Sequence, residues 1–116
     1  MASKMYILIK GPEDGVDTGH AVLAAAHASL SGYLTFVKYE DDVERKTAVE
    51  DWVVHSFRKV VCKVTDAEFE QAKTHGKPGV DYRVMTESGL GGMEVAIVFR
   101  PRDDFEPFFK SLRLYR

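Results

Sequence analysis

The strongest pattern along the chain is an unbroken apolar run, Met5-Tyr6-Ile7-Leu8-Ile9, closed by Gly11-Pro12. Apolar residues without alternation predict a strand covered on both faces, and so one placed centrally in a sheet. A polar loop, Glu13-Asp14-Gly15-Val16-Asp17, follows. Leu23, Ala26, Leu30, Tyr33, Leu34 and Val37 then recur at three- and four-residue steps, which predicts a helix with Thr18 as its cap. Ala24, Ala25, Ala26 and Ala28 let that helix approach a sheet closely. Glu40-Asp41-Asp42 interrupts the pattern before a second helix, about Glu44 to His55, with Val49, Trp52 and Val53 as its apolar stripe.

Lys59 to Val64, rich in β-branched residues, predicts the second strand. Thr65-Asp66-Ala67-Glu68 is a capping box that starts a helix. The helix should end near His75-Gly76, with Gly76 left-handed and Pro78 preventing continuation. Asp81 to Thr86 predicts a third strand, Glu87 to Gly92 a glycine-rich connector, and Glu94 to Phe99 a fourth strand. A last helix, Asp103 to Leu112, begins after Pro101 with acids in its first turn, where the helix dipole favours them. The predicted order is β-α-α-β-α-β-β-α. Helical crossovers suit parallel pairing and the short third-to-fourth connector suits an antiparallel hairpin. The expected fold is therefore α/β, a four-stranded mixed sheet flanked by helices on both faces.

Composition narrows the setting. The 116 residues, 45% hydrophobic and 29% charged, predict one globular domain over residues 1–116. The single Cys62 excludes an intrachain disulfide and lies in an apolar run, as a buried small hydrophobe would. No apolar run approaches the ~20 residues that span a bilayer, and the N-terminal residues lack a signal-peptide pattern. These features predict a cytoplasmic protein with no membrane partner. Its net charge of −2 gives no global attraction for nucleic acid.

Candidate chemistry is sparse. His20, in the first turn of the first helix, has the side chain best suited to proton transfer at neutral pH. His27 follows on nearly the same helix face, ~10 Å further along the axis, too far to share a metal with it. A hydrogen-bonded position against the sheet is expected for His27. No His/Cys/Asp cluster has ligand spacing, so neither a metal nor another cofactor is expected. The glycines at 89, 91 and 92 precede a strand and lack a lysine, which excludes a phosphate loop. They predict a flexible connector with Thr86, Glu87 and Ser88 at its base. Arg58, Lys59 and Lys63 on the second strand, with Arg100, Arg102, Lys110, Arg113 and Arg116, offer either a basic surface or solvated charge. Phe105, Phe108, Phe109 and Leu112 have helical spacing and read as core or dimer contact.

Three stretches resemble the type 2 peptidyl-tRNA hydrolases: Gly19-His20-Ala21-Val22-Leu23-Ala24-Ala25-Ala26-His27-Ala28, the basic-then-apolar Arg58 to Val64 after the Trp52 helix, and Val95 to Pro101 with the segment running to Tyr115. The resemblance implies hydrolysis of the ester joining a peptide to the terminal ribose of tRNA. In that family a lysine stands where this chain has His20, a Gln where it has Ala24, and an aspartate where it has Thr86. Glu87 and Ser88 occupy the connector where the family has threonines, and His27-Ala28 matches. The family's basic first loop is acidic here. At ~4 Å and an effective dielectric of ~20, each carboxylate–phosphate contact would cost ~4 kcal/mol before screening.

Two functions fit this reading. One is an ester hydrolase of the peptidyl-tRNA hydrolase type with altered catalytic residues, His20, Thr86 and Ser88. The other is a non-catalytic binding or interaction module on the same fold. The expected partners are tRNA or another small ligand, with a homodimer as the expected assembly. The expected site joins Thr18 to His20 with Thr86 to Ser88 at one end of the sheet, where open α/β folds bind ligands.

Overall fold

The computed structural model describes residues 3–14, 16–38 and 40–116. Met1, Ala2, Gly15 of the acidic loop, Tyr39 and the Asp14 side chain lie outside the described residues. The mixed sheet has five strands, not the expected four. The first, β1 (Lys4–Lys10), pairs in parallel with β2 (Arg58–Val64) and antiparallel with β4 (Met93–Phe99). On the outer side of β4 lies β3 (Tyr82–Glu87), and on the outer side of β2 lies β5 (Arg113–Leu114), both antiparallel to their neighbours. The order across the sheet is β3-β4-β1-β2-β5.

The centre of this order falls on the run that sequence placed there. Met5 to Ile9 are each 4% exposed or less, since every second side chain meets a different covering layer. Four helices join the strands: α1 (Thr18–Gly32), α2 (Val43–Asp51), α3 (Asp66–Ala72) and α4 (Pro107–Lys110). The order is thus β-α-α-β-α-β-β-α-β, the expected order with β5 added. π-helical turns, Tyr33–Lys38 and Trp52–Ser56, continue α1 and α2.

On one face, Met5, Ile7, Ile9, Val95, Ala96 and Val98 meet α1, Phe36 and Trp52. On the other, Tyr6, Leu8, Ile97 and Phe99 meet Phe69 and Ala72 of α3 and Phe105, Phe109 and Leu112. The capping box is present as predicted: Thr65 Oγ1 accepts from Glu68 N at 3.1 Å, and Thr65 N donates to the Glu68 carboxylate at 2.9 Å.

Four expectations change. The cap of α1 is Asp17, whose carboxylate accepts from His20 N at 2.9 Å, with Thr18 as the first helical residue. The face of α1 on the sheet is Ala21, Ala24, Ala28 and Gly32, while Val22, Leu23, Leu30, Tyr33 and Leu34 point outward. The predicted helix from Asp103 to Leu112 shrinks to α4, because Phe105 is buried from the preceding loop and Pro107 opens the helix. Gly76 has φ 164°, an extended backbone rather than a left-handed one. Its small size is required instead by space, since a Cβ there would lie 2.6 Å from Asp81 Cβ.

Candidate functional site

Because β1, β2 and β3 run in one direction, their carboxyl ends share one end of the sheet. The N-terminus of α1 returns there after the acidic loop, and the connector leaves β3 there. The small residues of α1 keep its axis close to the sheet, so its first turn sits beside the connector.

His20 occupies this junction. Its Nδ1 lies 3.0 Å from Asp17 Oδ1, and its side chain is about one-third exposed, at 34%. The backbone N–H of His20, followed by its ring N–H, holds the Asp17 carboxyl below its ordinary range, so Asp17 is ionised at neutral pH. An ionised carboxylate only accepts, so Nδ1 of the neutral ring carries the proton and Nε2 keeps its lone pair. Nε2 faces the connector: a methyl placed on Gly89 would sit 4.0 Å from it and 3.4 Å from Glu87 Oε1.

Glu87, expected at the base of the connector but not among the catalytic residues, is the connector side chain nearest this imidazole. Met85 packs into the α1-side core, and Glu87, two residues further along the strand, shares that face. Its Oε1 also accepts from Gly89 N at 3.0 Å. Period-two spacing from Met85 was the available signal, but it becomes usable only once α1 is known to cover that face.

Thr86 lies opposite Glu94, and residues directly opposite in a ladder share a face. Glu94 is held by Lys73 at 2.8 Å beneath the α3 side, so the Thr86 side chain is not brought to His20. Ser88 is exposed in the connector's first position, beside the cluster, with its carbonyl accepting from Gly91 N at 3.1 Å. The connector is an ordered turn. Gly92 N donates to Glu87 O at 3.0 Å, and Gly91 and Gly92 take φ values of 68° and 81°, which glycine adopts freely. His27 is exposed with no hydrogen-bond partner among the described residues, contrary to the expected position against the sheet. It borders a shallow depression with Ser31, Arg83 and Thr86.

The fold and this junction define an α/β protein with an acid–imidazole pair at the carboxyl ends of its strands. The family described as Peptidyl-tRNA hydrolase PTH2 matches residues 3–115, and the chain belongs to that family. No curated protein is a significant match to the chain. No helix among the described residues is long and apolar enough to cross a membrane.

Proposed function

We propose that the protein hydrolyses the ester of peptidyl-tRNA with His20 as general base, oriented by Asp17 and assisted by Glu87. The observation that carries this reading is the 3.0 Å contact of His20 Nδ1 with Asp17, which leaves Nε2 as the proton acceptor toward the connector. A water between Nε2 and the Glu87 carboxylate would lose a proton to Nε2 as its oxygen attacks the ester carbonyl carbon. The positive end of α1 favours the negative charge that develops on the carbonyl oxygen. Collapse breaks the bond to the ribose oxygen, which takes the proton from His20. The products are a tRNA hydroxyl and a peptide carboxylic acid, which loses the second water proton to solvent and leaves as the carboxylate.

Ser88 contributes a hydroxyl at the rim of the site, and Thr86 leaves the catalytic set in favour of Glu87. The reading includes a cytoplasmic single-domain protein, and burial supports an unreactive structural thiol by pushing Cys62 up to about 11. The homodimer reading rests on the outward apolar residues of α1.

The deciding experiment is turnover of peptidyl-tRNA by purified wild type, His20→Ala and Glu87→Gln, with sedimentation of the same samples to read monomer or dimer mass. Wild type should turn over, and His20→Ala should be slower by ~10²-fold or more, the scale of a lost general base. Full activity in His20→Ala would defeat the mechanism. The second reading, a non-catalytic binding module, is favoured by the buried Ala24, which offers no polar group at the position of the family's Gln. It would replace the first if wild type bound RNA without any turnover.

A further inference from the structure

The cations that sequence grouped together separate into two sets in three dimensions. Arg100 is paired with Asp81 at 3.3 Å, and Arg102 with Asp104 at 3.1 Å and Glu106 at 2.6 Å. The others gather at the β2–β5 edge. On the α4 side of that edge, Lys4, Arg58 and Lys110 surround one shallow depression. Lys63, Arg113 and Arg116 line a second, and Arg58, Lys59 and Arg116 a third with Tyr115. Among the described residues, none of Lys4, Arg58, Lys59, Lys63, Lys110 and Arg116 has an ion-pair partner, and Arg113 reaches Glu13 only at 4.0 Å. A chain of net charge −2 thus carries seven cations along one edge with almost no neutralisation among the described residues.

We infer that the β2–β5 edge binds an RNA phosphate backbone. Three features select RNA over other polyanions. The cations lie on both faces of the sheet edge, so they can follow a strand passing along it, whereas a flat lipid surface would meet only one set. The edge runs the length of β2, ~20 Å at ~3.3 Å per residue, enough for several phosphates. Aromatic rings are interleaved with the charges: Lys63 Nζ lies 4.9 Å from the Tyr115 ring centre, and Phe57, half exposed, stands beside Arg58 and Lys59.

This inference rests on the peptidyl-tRNA reading for the identity of the RNA, and it adds where the RNA body sits. The edge lies four strand intervals from β3, ~19 Å at ~4.8 Å each. An RNA held there would reach His20 only through a single-stranded end crossing the strand carboxyl ends.

The test uses deacylated tRNA, which carries no ester, so binding is read independently of turnover. Fluorescence anisotropy of the full chain should show affinity that falls with salt, with a log–log slope of about −2 for roughly three neutralised phosphates at ~−0.7 each. Arg58→Glu/Lys63→Glu should weaken binding about tenfold or more and flatten the slope by about 1 to 2. Arg58→Gln/Lys63→Gln should do so to a smaller extent if the charge reversal fails to fold. Lys77→Glu, just before β3 at the opposite edge, should bind as wild type does. Unchanged binding in folded edge variants, or an equal loss in Lys77→Glu, would overturn the assignment. So would co-flotation with phosphatidylserine vesicles under conditions where tRNA does not bind. His20→Ala should keep full RNA affinity, so a failed hydrolase reading and a failed binding edge give different results.

Discussion

Where α1 and the C-terminal aromatics cover it, the two faces of the sheet use opposite materials, although Phe36 and Trp52 complete the α1 side. Beneath α1 the contact is made by Ala21, Ala24, Ala28 and Gly32, the smallest side chains available. Across the sheet the cover is aromatic: the Phe109 ring lies 4.9 Å from Phe99, 4.9 Å from Phe105 and 5.2 Å from Tyr6. The aromatic face gains stability from buried area and ring contacts, and its elements are correspondingly short, since α4 has only four residues. The α1 face gives up contact area and gains proximity, which sets the first turn and His20 beside the connector. One face anchors the sheet and the other positions the site.

Truncating the anchor should have the largest effect. Phe109 is 1% exposed, and Phe109→Ala should cost ~3–5 kcal/mol from lost transfer energy and the cavity left behind. Urea denaturation should show this as a lower midpoint, while whatever protein remains folded keeps the activity of wild type. A loss of activity in fully folded Phe109→Ala would mean that the faces are coupled, not separate.

The same contrast explains which parts of the molecule were legible in the sequence. The centrality of β1 could be read because burial on both faces leaves a continuous apolar run. The Thr65–Glu68 cap could be read because its contacts are local. The buried face of α1 could not, because a close approach to the sheet selects small residues while the larger Leu23, Leu30 and Leu34 point outward and carry the visible period. Two residues of β5 have no pattern of their own and exist as a strand only through pairing with Cys62 and Lys63. Phe105, Phe108 and Phe109 mimic helical spacing although Phe105 reaches the core from a loop. His20 and the connector were brought together as expected, because strand direction fixes which loops share an end. Which side chain of the Thr86 to Ser88 span faces α1 was not legible, because one position along a strand reverses the face.

Filling the close contact should have an intermediate effect. A Cβ on Gly32 would lie 2.8 Å from Val98 Cγ2 and 2.9 Å from Met5 Cε. The Met5 terminus can swing aside, but Val98 is β-branched, buried and stiff. Gly32→Ala gains ~0.5–1 kcal/mol from helix propensity, against ~1–3 kcal/mol for overpacking. The expected net is a loss of about 1 kcal/mol, with a fall in activity as α1 lifts from the sheet. A Gly32→Ala protein more stable than wild type by thermal unfolding would show that the α1 interface is loose, and the proximity argument would fail with it.

The smallest effect should come from the charge at the cap of α1, where Asp17 both caps the helix and orients His20. Its folded pKa is lowered, first by the backbone N–H of His20 and then by the ring, so the carboxylate is favoured in the folded state. A depressed folded pKa contributes stability that is present above the unfolded value, ~3.9, and is lost as pH falls through the folded value. Asp17→Asn keeps a side-chain oxygen to accept from His20 N, and Asn caps helices as well as Asp does, so the substitution isolates the charge. Wild type should therefore exceed Asp17→Asn in stability by a small, salt-sensitive margin at pH 5–6, and the two should converge as the pH drops below ~3.9. Glu40 and Asp42 also have lowered pKa values and lose their contributions in the same acid range, but both proteins contain them, so the difference curve belongs to Asp17. Urea midpoints measured from pH 6 to 2.5 give that curve directly. A gap that stays constant or widens in acid would mean that the Asp17 carboxylate is not favoured by folding, and that it cannot be the fixed anion that sets the tautomer of His20.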